Sequence, residues 1–167
     1  MAIDPQTFKG ALGRFASGVT VITVHSSTGD YGMTASAFCS VSLQPPLVLV
    51  CVKKGNHTHG LIEAAQGFGV SLLAEDQKGI SNRFAGWGDK PQDHFDDLGD
   101  ARGEVSGAPF IAGSMAWLDC TLHSSLDGGD HTIFLGEVQG GTLHGERGDL
   151  RPLLYFAGNY RAAGASL

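Results

Sequence analysis

Charge is scarce in this chain. Asp, Glu, Lys and Arg together make up 17% of the 167 residues, and the balance is acidic, with a net charge of −6. The 11 Lys and Arg are scattered. Without a basic stripe to neutralise phosphates, nucleic acid is excluded as an expected partner. Long apolar runs are missing too. The longest, residues 47–52, is far too short to span a bilayer, so no membrane partner is expected. Cysteine is limited to Cys39, Cys51 and Cys120, an odd number set in apolar or strand-like stretches. They read as buried free thiols of a reducing compartment. The opening MAIDPQTFKG has neither the basic start nor the apolar core of a signal peptide, so the expected location is cytoplasmic. The signature motifs are equally absent: no GxGxxG after a strand, no GxxxxGK[ST], no HExxH, no CxxC, no GxSxG. Gly86-Trp87-Gly88 and Gly140-Gly141 read as turns. His57 and His59 lack a third ligand at recognisable spacing, so no metal is expected.

What is present is a hydrophobic content of 42% and 25 glycines, enough for one folded domain over residues 1–167. Asp4-Pro5 reads as an N-cap and first helical residue, followed by Phe8, Leu12 and Phe15 on one apolar face, with Gly18 closing the helix. Residues 19–24 form a β-branched strand, and a turn over 26–30 leads to a second extended stretch, 31–42. Gln44-Pro45-Pro46 ends it, because proline lacks a donor and holds its predecessor extended. Residues 47–53 are apolar on both faces and therefore central. Gly55-Asn56 leads into a helix over 58–65, and 68–74 is another strand. Asp76 is the expected cap of a helix over 77–85 that carries Ile80 and Phe84.

Residues 86–114 read as irregular, with Asp89, Asp93, Asp96, Asp97, Asp100 and Glu104 against Lys90 and Arg102. A loop of that length implies a functional cover or a partner surface. Two long strands, 115–124 and 131–139, follow, joined through Asp127, Gly128, Gly129 and Asp130. A short strand, 153–156, is the last. Six or so strands with only short helices argue a closed or nearly closed β-barrel rather than βαβ repeats. The low charge suggests further surface buried against a second subunit.

Three segments carry candidate chemistry. In Gly32-Met33-Thr34-Ala35-Ser36-Ala37-Phe38, alternation puts Thr34 and Ser36 on one face, roughly 7 Å apart. They would suit the edge of a flat ligand, or simply a strand packed closely on another backbone. In Lys53-Lys54-Gly55-Asn56-His57-Thr58, a strand meets a helix start whose amides and dipole favour an anion such as phosphate. The alternative is an ordinary capped helix with two solvated lysines. In Gly129-Asp130-His131-Thr132, His131 can donate to a carboxamide or a phosphate, or be no more than a residue at a turn.

Taken in order, these segments resemble the short-chain flavin reductase family, which supplies reduced flavin to two-component monooxygenases. The anchors are Gly18-Val19-Thr20-Val21-Ile22-Thr23, Tyr31-Gly32-Met33-Thr34-Ala35-Ser36-Ala37-Phe38 and the run Ser40-Val41-Ser42-Leu43-Gln44-Pro45-Pro46. Ala74-Glu75-Asp76-Gln77, Arg83-Phe84-Ala85-Gly86 and Gly129-Asp130-His131-Thr132 complete them, and the match spans about 8–160. The resemblance implies a mostly β fold, a six-stranded split β-barrel with a few short flanking helices. It also implies a homodimer binding FMN or FAD near the subunit interface, and a transient oxygenase partner served by diffusing reduced flavin.

By the same resemblance, Gly32, Met33, Thr34, Ala35 and Ser36 line the flavin ring and ribityl chain, and Ser40, Val41 and Ser42 extend that wall. Cys51, Val52, Lys53, Asn56 and Thr58 take the phosphate end, approached by Arg83 and Phe84. His131 stands beside the nicotinamide as the catalytic residue, and Tyr155 or Tyr160 lies near the cleft mouth. NADH is favoured over NADPH because no Arg or Lys cluster awaits a 2′-phosphate. Three departures are visible: Ala37 stands where many relatives have serine, Cys51 sits at a position that varies and is assigned no redox chemistry, and Lys53-Lys54-Gly55-Asn56 replaces a Ser-rich version. The competing readings are a pyridoxamine-phosphate-oxidase-like enzyme on the same barrel and a non-enzymatic flavin-binding module.

Overall fold

The computed structural model describes residues 3–88, 91–146 and 151–164. In β2 (Thr20–Ser26), Ile22 and Val24 alternate with Val21 and Thr23, and both sets are buried. A strand buried on both faces needs cover on both. The inner cover is the sheet itself. Its order is β3 (Gly29–Ala35), β2, β6 (Gly67–Leu72), β7 (Ala116–Gly128), β8 (His131–Leu143), β5 (Pro46–Lys53) and β4 (Phe38–Leu43). Every pairing is antiparallel.

The two edge strands, β3 and β4, are consecutive in sequence and joined only by Ser36 and Ala37. The Cys51 amide donates to Ala37 O at 3.0 Å, carrying the β4–β5 pairing one residue further, into this seam. The sheet therefore curls until its ends meet, giving a mostly β split barrel. Ile22, Val24, Met33, Val50, Val52, Phe68, Val70 and Phe134 fill the inside, together with Ile62 of α2 (His57–Ala65).

The outer cover of β2 is a second layer. Val19 and Val21 meet Leu73, Phe84, Ile111 and Leu153. Phe84 comes from α3 (Lys78–Phe84), entered through one 3-10 turn over Glu75–Gln77. Leu153 comes from a small sheet of β1 (Ser17–Gly18), β9 (Leu153–Phe156) and β10 (Asn159–Ala162). At about 1.5–3 kcal/mol per fully buried large apolar side chain, these two clusters are the main stabilising term.

Side-chain hydrogen bonds order the irregular segment after α3. The Gln92 amide donates to Phe84 O at 2.7 Å and accepts from Tyr31 OH at 3.2 Å, while Gln92 O accepts from the Gly32 amide. Arg83 grips Asp97 with two bonds of 2.8 and 3.0 Å and also donates to His94 O. Arg102 forks onto Asp30, whose carboxylate also lies 2.7 Å from His25 Nδ1. Burial alone would push the Asp30 carboxyl up, but the bonds from Arg102 and His25 outweigh it and hold it below the usual range.

The structure corrects several expectations. The main sheet has seven strands rather than six because residues 31–42 are two strands with different partners, broken at Ser36. No Gly or Pro marks that break. The first helix, α1 (Pro5–Leu12), does start from Asp4, which accepts from the Gln6 and Thr7 amides. It ends at Gly13, however, since Gly18 is drawn into pairing with Leu154. Its apolar residues Phe8 and Leu12, and Phe15 beyond its end, face solvent in a single chain. Asp76 is not the cap of α3: it lies within the 3-10 turn, and Gln77, at the N-cap position of α3, makes no side-chain cap bond to it, its Oε1 instead accepting from the Ala74 amide at 3.0 Å at the start of that turn. Among the acids assigned to the loop, Asp89 lies outside the described residues, as does Lys90.

Candidate functional site

Where β3 meets the second layer, a groove of about 290 Å³ opens beside the seam. Thr34 and Ser36 line one wall, Tyr155 and Tyr160 another, and Ala85 and Trp87 the rim. The alternation of β3 explains this placement. Met33 and Ala35 point into the barrel, so Thr34 and Ser36 must point out. Thr34 Oγ1 donates to Ser81 O at 2.6 Å, and Ser81 Oγ lies 2.8 Å from Tyr160 OH. The Tyr155 and Tyr160 rings meet edge to face with centroids 5.5 Å apart, and Lys78 Nζ sits 5.8 Å from the Tyr160 centroid. The groove is thus a polar-edged slot with aromatic sides. Its volume is at the small end for ligand sites, which suits one ring system rather than a whole dinucleotide.

A second cluster begins two residues past the seam. Lys53 follows Cys51 by two positions, about 7 Å along the strand, and stands directly opposite His131 of β8. Lys54 is ion-paired with Asp127, and its amide donates to Asp130 O at 2.9 Å. His131 Nδ1 lies 2.8 Å from Asp130 Oδ1, and that contact holds the Asp130 carboxyl below the usual carboxylate range. Asn56 caps α2, accepting from the Thr58 amide at 3.2 Å, and the His57 ring packs edge-on against Tyr31. This corner pairs cationic side chains with a helix start, a combination that suits an anion.

The remaining candidate residues divide by burial. Gly32, Met33, Ala35, Val52, Thr58 and Phe84 are all buried. Gly32 is needed because a Cβ there would meet the Phe84 ring at 2.6 Å. The Thr58 hydroxyl is sealed beneath α2 without a hydrogen-bond partner. Arg83, expected near a phosphate, is committed to Asp97 and the His94 carbonyl. Ser40, Val41 and Ser42 lie on edge strand β4 at a bulge between 40 and 42. Cys51 is half-buried on the outer face, where burial, with Cys39 nearby, raises its thiol.

Thr34, Ser36, Tyr155 and Tyr160 therefore converge on the groove, and Lys53, Asn56 and His131 on the corner. Sequence reading missed Ala85 and Trp87. The available signal was a tryptophan set between two glycines just past a helix. A larger hollow of about 360 Å³, beside Arg102, Trp117 and Gln139, holds none of the candidates. Its buried carboxylate, Asp119, is already occupied by the Val105 and Ser106 amides.

Comparison with known proteins gives a consistent answer. A family described as "Flavin reductase like domain" matches residues 12–164. The chain is 41% identical, over 95% of its length and 82% of the relative's, to the flavin-dependent monooxygenase reductase subunit HsaB of Mycobacterium tuberculosis. It is 46% identical to the NADH-dependent FAD reductase of Streptomyces globisporus, covering 81% of this chain and 76% of that one. Among solved structures, BorF, the flavin reductase component of a bacterial two-component tryptophan halogenase, superposes with a TM-score of 0.87 at 40% identity. That match covers 98% of this chain and all of BorF. The Streptomyces globisporus NADH:FAD oxidoreductase SgcE6, in complex with NAD and FAD fragments, gives 0.86 at 41% identity, covering 98% and 97%. The chain belongs to the flavin reductase-like domain family.

Proposed function

We propose that this protein is an NAD(P)H:flavin oxidoreductase that reduces FMN or FAD and hands the reduced flavin to a partner monooxygenase. The observation that carries the reading is the convergence of the Thr34 and Ser36 hydroxyls with two tyrosines, beside a cationic corner two residues beyond the seam. That spacing suits a ligand with a flat polar-edged ring at one end and a phosphate at the other. The bound flavin supplies the hydride-accepting chemistry, so no protein acid or base is required at the reacting carbon.

The chain's own work is positioning. Thr34 and Ser36 hold the ring edge, Lys53 and Asn56 hold the phosphate, and Tyr155 and Tyr160 exclude water from the slot. His131, held by Asp130, orients the nicotinamide. Proximity of this kind supplies a large share of the rate in such reactions.

NADH oxidation, assayed with FMN, FAD and riboflavin against NADH and NADPH, tests the proposal. Turnover with added flavin and a preference for NADH are expected; no turnover with any flavin overturns it. His131→Ala should raise the KM for NADH or lower kcat while leaving flavin affinity unchanged. Equal loss of flavin affinity would contradict the assigned role.

The reading takes residues 1–167 as one domain acting as a homodimer. It is supported by apolar residues that a single chain leaves exposed: Phe8 and Leu12 on α1, Phe15 just beyond it, and Val41, Leu43 and Leu126 on the sheet. A cytoplasmic location fits the three free cysteines. Elution at twice the chain mass is the expected result of gel filtration.

A further inference from the structure

The end of α3 is built to hold one side chain in place. Gly86, at φ +76°, adopts the left-handed conformation that ends many helices. Its amide donates to Arg83 O at 3.0 Å, and the Trp87 amide donates to Asn82 O at 2.8 Å. This double bond pattern is a Schellman motif, which fixes the backbone through Trp87. On the other side, the chain folds back so tightly that a Cβ at Gly88 would lie 2.7 Å from Arg83 Cα and 2.9 Å from its nitrogen. Arg83 is itself immobilised by Asp97. The residue at this point of a Schellman motif commonly folds back onto its helix. Trp87 instead stays 69% exposed, on the rim of the groove lined by Thr34, Ser36, Tyr155 and Tyr160.

An indole with a fixed backbone and a free face is suited to stacking on a planar ring. The groove has room for one ring system, and Trp87 borders the same space as Thr34 and Ser36. The ring held by those hydroxyls is then the ring the indole covers.

We propose that Trp87 is a specificity-determining residue that stacks on the isoalloxazine ring of the bound flavin. This rests on the flavin reading above and assigns the rim to a side chain outside the hydroxyl and histidine sites. The chain has two tryptophans, and Trp117 is partly buried, stacked on Phe110 at 5.1 Å. Tryptophan fluorescence therefore isolates Trp87 by difference from Trp87→Phe.

The experiment titrates wild type, Trp87→Ala and Trp87→Phe with riboflavin, FMN, FAD and ADP. It reads tryptophan fluorescence and, separately, bound ligand by equilibrium dialysis. Wild type should be quenched by riboflavin, FMN and FAD alike and not by ADP, and the quench should largely vanish in Trp87→Phe. Trp87→Ala should weaken FMN binding about tenfold, and Trp87→Phe, still aromatic, should restore most of it. Quenching by FAD and ADP alone would place the adenine on the indole and overturn the proposal. So would equal FMN affinity in wild type and Trp87→Ala, while leaving the flavin reading intact. If the wild type bound no flavin by dialysis, the flavin reading itself would fall.

Discussion

The outer surface of the curled sheet has two unlike halves. Over β3, β2 and β6 it is roofed by α3, the small sheet and the pinned irregular segment, with Val21, Phe84 and Ile111 fully enclosed. Over β8, β5 and β4 the same alternation sends Leu49, Cys51, Ile133 and Leu135 outward, where they are only half-buried and no helix or second sheet among the described residues roofs them. Leu126, opposite Ile133, extends that bare apolar strip. The strand chemistry is similar in both halves; only the roof differs. A roof within the chain makes a groove, and an unroofed apolar strip asks for another molecule. The groove residues lie in the first half, whereas Lys53 and His131 lie at the end of the bare strip. The candidate site therefore straddles the boundary between the halves.

The largest effect should come from breaking the roof. Phe84→Ala removes an enclosed ring and should cost about 3–5 kcal/mol in urea unfolding. Leu135→Ala on the bare half should cost much less in the isolated chain. Equal costs would mean the halves are not distinct. Next, Leu135→Asp puts a charge in the bare strip and should convert a dimer to monomer on gel filtration with little loss of fold. A variant still eluting as a dimer would move the interface elsewhere.

A smaller effect belongs to pH. The Asp30 carboxyl titrates lower in the folded chain than in the unfolded one, so the unfolded state takes up protons first as pH falls. The bonds from Arg102 and His25 thus contribute fully above the ordinary aspartate value of about 3.9 and are lost as pH drops below it. Asp30→Asn should flatten the fall in stability between about pH 4.5 and pH 3; an unchanged slope would sink that account. The smallest effect is chemical. Burial, reinforced by Asp119, pushes the Cys120 thiol up to about 12, so it should resist iodoacetamide at neutral pH, while exposed Cys39 should react. Protection of Cys39 at high protein concentration would report cover arriving on the bare half.

Much of the fold was legible because it is written locally. The Asp4 cap, the turn before His131 and the strand Leu153–Phe156 follow from residue types and alternation. The break at Ser36 and Ala37 was not legible, because two small residues bend without a conventional turn signal. Strands β1 and β10 exist only because β9 lies between them as a partner, and short segments carry no pattern of their own. At the site, the hydroxyls of Thr34 and Ser36 could be placed from period-two alternation alone. The burial of Thr58 could not, since it depends on how α2 packs onto the barrel. The engagement of Arg83 depends on Asp97, which comes from a segment without periodicity.

The two-residue seam has a consequence for how the chain tolerates alteration. A cut or an inserted segment in the turn at 129–130 would leave both long strands anchored by their neighbours on either side. The same change at 36–37 would let two edge strands part from one another, opening the outer rows of amides and carbonyls that neither pairs within the sheet to strands from other chains. Solubility should therefore hinge on this short stretch far more than on the longer loops, even though it contributes almost nothing to either core.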